Sequence, residues 1–204
     1  MLITEYRLDL AILALRGILP LAHPADTSLR YFFQQERIGS NERAFVAEVV
    51  FGTLRHRLLL EHCCGEKSTP RRMALAYLIR FAGYNLREIE PVLERDEKDW
   101  LITVKGVDLA TLSLFIQAEL PDWLVEKMHA QYSDEDILTI GRSMQQGAPL
   151  DIRVNTLLAK RDEVLTQLHG QNIEAELTPL SPVGIRLKDK IPLNKDALFT
   201  EGKV

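Results

Sequence analysis

This chain is short of cysteine, has no glycine-rich run, no long apolar stretch and no surplus of positive charge, and each shortage excludes something. Its two cysteines, Cys63 and Cys64, are adjacent. Neighbours on a regular element cannot easily bridge each other and no third cysteine exists, which excludes a disulfide framework and makes a reducing, cytoplasmic compartment the simplest expectation. The 11 glycines are scattered singly, with no Gly-x-Gly run and so no phosphate-cradling loop. His23, His56, His62, His129 and His169 form no i, i+4 ligand pair beside a carboxylate base, and Cys63-Cys64 lacks the C-x-x-C spacing, so neither metal ligands nor catalytic residues are expected. Both cysteines read as small buried hydrophobes at a helix end. Glu5, Asp9 and Arg16 interrupt the apolar N-terminus, and no segment approaches ~18 uninterrupted apolar residues, which points away from a signal peptide or a membrane span.

What is there is an ordinary globular composition, 46% hydrophobic and 26% charged over 204 residues, enough for one large domain or two small ones. With 25 Lys and Arg against 29 Asp and Glu, the net charge of −4 argues against a general nucleic-acid binder. The distribution is uneven: residues 1–80 hold 11 basic and 8 acidic side chains, residues 81–148 hold 6 and 13, and residues 149–204 hold 8 and 8. A mildly basic start is compatible with one RNA-facing surface, and equally with a plain solvated acidic face in the middle.

From Met1 to about Gln146 the apolar spacing is helical throughout and predicts roughly eight helices. Leu8, Ala11, Ile12, Leu15, Ile18 and Leu19 mark the first, and a shorter one from about Thr27 carries Leu29, Phe32 and Phe33. A long helix is expected from about Glu42 to His62, with Ala44, Ala47, Phe51, Leu54 and Leu58 in one stripe and Phe45, Val46, Val49 and Val50 covering much of the rest, which places it mid-bundle. Ser68, Thr69 and Pro70 open a helix running to Gly83. Weaker helices follow at Glu88 to Glu94 and Asp96 to Leu101. Another is expected from Asp108 through Leu112 and Ile116, and two more from Asp122 and Asp134. At Gly147 the period changes: Leu150, Ile152 and Val154 alternate with Asp151, Arg153 and Asn155, a helix follows from about Lys160 to His169, and Ile173 to Leu177 and Ile185 to Leu187 give two further strands. This β-α-β-β unit has little core and no closing element, so the chain is expected to be cut inside a larger protein.

Candidate contacts are mostly arginines. Gly52, inside a helix, costs about 1 kcal/mol relative to Ala and points to close approach of another helix or a ligand backbone. Arg55 at the stripe border reads as a core-edge cation paired with a carboxylate, with a phosphate contact as the other reading. Arg43 and Arg57, two heptads apart, lie on a different flank, and with Arg71 and Arg72 they are the expected RNA contacts of the helical part. Arg153 and Asn155, side by side on a polar strand face, are donors suited to phosphate or base edges, or an ordinary solvated face.

Arg43 with Phe51-Gly52-Thr53-Leu54-Arg55 resembles the central helix of the NusB-like helical domain in the Sun/Nop family of RNA cytosine-5 methyltransferases. Pro121-Asp122-Trp123-Leu124 resembles that family's entry to its linker helices. Ala148 to Thr156, Lys160 to Leu165, Thr178-Pro179 and Ser181 to Leu187 resemble its small RNA-binding subdomain, and Phe199 with Glu201-Gly202 the exit. The resemblance implies a mainly α fold, with a NusB-like helical domain over 1–146 and a partial α+β (β-α-β-β) subdomain over 147–204. It also implies a parent enzyme that uses S-adenosylmethionine to methylate cytosine C5 of ribosomal RNA through a cysteine adduct. The expected partner is ribosomal RNA, with neither DNA nor a membrane. The catalytic and cofactor-binding domain would lie beyond Val204, Cys63 and Cys64 inherit no role, and this chain alone is expected to be inactive. The rival expectations are a stand-alone antitermination-type RNA or protein adaptor, and a helical protein-interaction module whose acidic middle meets a basic partner.

Overall fold

The computed structural model describes residues 3–189, 191, 193 and 196–204, so the Met1 start of the first expected helical stretch lies outside the described residues. Two compact units divide the chain, 1–145 and 146–204.

The first unit is helical. Its elements are α1 (Glu5–Ile18), α2 (Ala25–Glu36), α3 (Ser40–Arg55), α4 (Arg57–Cys64), α5 (Pro70–Arg80), α6 (Leu86–Ile89), α7 (Glu97–Gly106), α8 (Leu114–Ala118), α9 (Asp122–Met128) and α10 (Asp134–Met144). Local chemistry sets several starts. The Thr4 hydroxyl accepts from the Arg7 N–H, Thr69 accepts from Arg72 N–H ahead of Pro70, and Ser133 with Asp136 forms a reciprocal capping box. The helix enclosed on all sides is α5, where seven consecutive residues from Met73 to Ile79 are buried. Leu75 and Leu78 alone remove enough apolar surface from water to stabilise the fold by about 2 kcal/mol each.

Three expectations are corrected here. The Glu42 to His62 stretch is two helices, broken at His56 (φ −105°, ψ 27°), and it flanks α5 instead of occupying the middle. Its core face is Phe45, Val46, Val49 and Val50; Ala44, Glu48, Phe51 and Arg55 form the solvent ridge. The helix expected from Asp108 is a single 3₁₀ turn at Leu109–Thr111, capped by Asp108, after which Leu112 turns extended (ψ 163°) before α8 begins.

The second unit holds β1 (Leu150–Arg153), α11 (Arg161–Gly170), β2 (Ala175–Leu177), β3 (Gly184–Leu187) and α12 (Ala197–Thr200). The sheet is antiparallel with order β1-β3-β2, and its register aligns Leu150, Leu187 and Ala175 in one row and Ile152, Ile185 and Leu177 in another. The inward rows pack on Val164 and Leu168 of α11 and on Leu198. The opposite face carries the row Asp151, Arg186 and Glu176. The molecule is thus mostly helical with a small three-stranded sheet at its C-terminal end. No helix among the described residues is long and apolar enough to cross a membrane.

Candidate nucleic-acid interface

In the helical unit several arginines are committed to the fold. Arg71 is the clearest case. Its Nε and Nη2 donate to the two oxygens of buried Glu97 at 2.7 and 2.9 Å, and Nη2 also reaches the Val92 carbonyl at 2.7 Å. Burial works against the Glu97 charge, but the fork from Arg71 and the Glu94 N–H hold its carboxyl below the usual range. Arg57 donates from Nε to Glu61 at 2.6 Å and from Nη1 to the Leu19 carbonyl at 3.1 Å, tying the end of α1 to α4. Arg80 likewise takes the carbonyls of Val104 and Val107 at the end of α7. The Nε and one terminal nitrogen of each of Arg57 and Arg71 are thus engaged within the bundle.

Arg43 and Arg72 are only partly committed. Arg43 donates from Nε to the Ile38 carbonyl at 2.9 Å and from Nη2 to Phe33 at 3.3 Å, with its guanidinium 5.7 Å above the Phe33 ring. Arg72 lies over Trp100 at 4.6 Å, and the indole N–H of Trp100 is anchored on the Cys63 carbonyl. Arg55 is exposed and has no carboxylate partner among the described residues, which corrects its reading as a paired core-edge cation.

The feature behind Gly52 is Tyr77. A Cβ at Gly52 would stand 2.0 Å from the Tyr77 ring, whose hydroxyl donates to Glu48 at 2.6 Å. The break at His56 has a cause outside its own helix. His56 stacks on Phe81, centroids 3.6 Å apart, with its Nδ1 3.4 Å from the buried Glu119 carboxylate. The other oxygen of Glu119 accepts from the Leu59 N–H at the start of α4, a favourable place for negative charge. The cysteines close that helix. Burial pushes the Cys63 thiol up and the Cys64 thiol up to about 12, so neither supplies a ready thiolate.

In the small unit Arg153 is exposed, whereas Asn155 is structural. Its Nδ2 donates to the Gly202 carbonyl at 3.0 Å and its Oδ1 accepts from Leu157 N–H at 3.2 Å, while its backbone N–H reaches Lys203. On the same sheet face Arg186 makes a bidentate pair with Asp151, both contacts at 2.8 Å, so that face carries mixed charge, and Arg153 makes no side-chain hydrogen bond with any described residue.

Residues 120–194 match the RsmF/B-like methyltransferase, ferredoxin-like domain family. Over 83% of its length the chain is 32% identical to the ribosomal RNA small subunit methyltransferase B of Photorhabdus laumondii subsp. laumondii, covering 46% of that protein. Together these matches support a fragment of a Sun/Nop family protein. A second relative, the "Probable ribosomal RNA small subunit methyltransferase B" of Synechocystis sp., is 23% identical over 89% of this chain and 48% of its own length. The chain spans about half the length of the curated relatives it matches. The crystal structure of PH0851 superposes with a TM-score of 0.66 over 100% of this chain and 53% of that one; at 17% identity the likeness is one of fold. The family match begins at Leu120 and runs through all three strands, over the stretches from Pro121 to Leu187 that carry the sequence resemblance.

The Sun/Nop resemblance implies S-adenosylmethionine, and the described residues do not fit it. The three strands are antiparallel, without the parallel β-α-β crevice and glycine turn that seat such a cofactor.

Proposed function

We propose that this chain is the RNA-binding and RNA-positioning N-terminal region of an S-adenosylmethionine-dependent methyltransferase acting on cytosine C5 of ribosomal RNA. The helical domain is taken as residues 1–146 and the partial α+β RNA-binding subdomain as 147–204, with the catalytic domain continuing in cis. The observation that carries this reading is the ferredoxin-like domain match, which names RsmF/B-like methyltransferases and covers 120–194. The small-subunit methyltransferase B relatives supply the substrate class. The chain's own residues support positioning without chemistry, since its thiols are held protonated by burial and Arg43, Arg72 and Arg153 keep donors or charge available. The proposal places the enzyme in the cytoplasm.

The test is a pair of measurements on the full chain. Titration against a fluorescein-labelled stem-loop of small-subunit ribosomal RNA is expected to show binding that weakens steeply with salt. Calorimetry with S-adenosylmethionine is expected to show no specific uptake. Saturable cofactor binding, or methyl transfer lost on Cys63→Ala or Cys64→Ala, would make this a self-contained enzyme and overturn the positioning role.

A further inference from the structure

We propose that the cleft between α2 and the start of α3, built from Arg30, Arg37 and Arg43, binds the phosphodiester backbone of RNA. This deepens the RNA-positioning reading, on which it rests, by naming the surface through which the helical unit acts.

The arrangement begins in the sequence. Arg30 and Gln34, four apart, share one ridge of α2 away from buried Leu29, and Arg37 follows at the helix's C-terminal cap. Arg43, in the first turn of α3, faces that ridge across an open cleft of about 460 Å³ that also takes in Phe33. Three cations therefore converge on one concavity in a chain whose net charge is −4.

The local carboxylates are directed elsewhere. Glu42, next to Arg43, is paired with Arg7 at 3.0 Å, and that contact holds its carboxyl below the usual range. Glu36, next to Arg37, lies on the other side of α2, along the groove shared with Leu13 and Ile18 of α1. Arg30 and Arg37 accordingly have no ion pair and no side-chain hydrogen bond with any described residue, unlike Arg57, Arg71 and Arg186.

Positioning separates this cleft from a chance surface cluster. Arg43 is fixed at three points, the carbonyls of Ile38 and Phe33 and the ring of Phe33, and its Nη1 makes no hydrogen bond with any described residue. Capping the end of α2 explains Arg43 but not Arg30, two turns upstream. Arg37 is held in the left-handed region (φ 48°, ψ 38°), a conformation that disfavours any residue but Gly or Asn, and it brings a third guanidinium beside the other two. Guanidinium forks match phosphate oxygens bidentately. Because Arg43 covers one face of Phe33, the cleft offers phosphate contacts in preference to a base-stacking platform, so it sets register on the RNA without reading its sequence.

The test uses the full chain with Arg30→Gln and Arg37→Asn combined. Asn tolerates the left-handed backbone, and neither position touches the core. Anisotropy with the fluorescein-labelled RNA stem-loop, over a salt series, is expected to show affinity reduced roughly tenfold and the log–log salt slope smaller by about 1.4 to 1.8 for two lost contacts. Arg30→Glu alone, a charge reversal on a helix surface, should weaken binding in the same direction. Unchanged affinity and slope in a variant with native circular dichroism would overturn the cleft while leaving the RNA reading intact. A wild-type chain that fails to bind the stem-loop at low salt would sink both. Displacement of the RNA by poly-glutamate at equal charge would also overturn the proposal, in favour of an acidic protein partner.

Discussion

Arginine is the residue whose role in this molecule is least legible from position. Periodicity places Arg57 and Arg71 on helix flanks, but Arg57 reaches the Leu19 carbonyl, and Arg71 the Val92 carbonyl and the buried Glu97 carboxylate, all supplied by distant elements. Nothing in the sequence tells that Glu36 and Glu42 turn away from Arg30 and Arg37. Arg71 gives the sharpest test at this scale. Arg71→Ala leaves Glu97 buried without its cation, which is expected to cost about 3 kcal/mol in urea unfolding at neutral pH. Combining it with Arg57→Ala and Arg72→Ala to probe RNA binding would therefore compromise the fold. The pH dependence has a definite sign. The Glu97 carboxyl is held below 4.5 in the folded chain, so its pairing stabilises above that value and is lost as pH falls through the folded pKa. In the variant the unpartnered carboxyl protonates more readily, so the stability gap to wild type should narrow toward pH 4; a gap that stays constant would show that the pair contributes through packing alone.

At the scale of elements, what the sequence reveals depends on whether the deciding contact is local. The strand alternation and the helix start at Thr69 and Pro70 were readable because alternation and capping are properties of a few neighbouring residues. The break at His56 was not, because the apolar period runs through it and its cause, the Glu119 carboxylate and the Phe81 ring, lies far along the chain. Nor was the facing of α3, since both of its sides are apolar and its packing on α1 and α5 decides which one is buried. Interior glycines mark such contacts better than hydrophobics do. Gly52 was singled out by this argument and meets Tyr77; Gly141 passed unremarked, yet a Cβ there would lie 2.3 Å from the Ala118 carbonyl. The consequence is a local one, because Ala118, Leu120, Val125 and Ile137 form a cluster separate from the main core. Gly141→Ala, which on an exposed helix would stabilise by about 1 kcal/mol, is expected to destabilise by about 1–3 kcal/mol here. Hydrogen exchange should localise the damage to α8 and α10 and spare the amides of α5. Faster exchange throughout α5 would mean that the two clusters unfold together.

On the scale of the whole molecule, the two units differ most in how much they bury. Among the described residues the main helical core joins 26 buried side chains, from Ile3 to Val104, whereas the core of the small unit has six: Val154, Val164, Leu168, Ile185, Leu187 and Leu198. Since stability is the small remainder between burial and conformational entropy, so thin a core leaves the sheet with little margin of its own. Antiparallel pairing of three short strands adds backbone hydrogen bonds, but β1 and β2 are both edges. The expected outcome is a hierarchy of opening. In native-state hydrogen exchange of the full chain, the amides of β3 should exchange through openings of markedly lower free energy than those of Leu75 to Ile79 in α5. Residues 1–145 expressed alone should retain cooperative thermal unfolding, because every member of the main core lies within them. Mild urea should release the protection of β3 well before the helical signal declines. If instead β3 and α5 lose protection at the same denaturant concentration, the two units unfold as one cooperative body, and the helical unit could not be treated as an independent carrier of the arginine cleft.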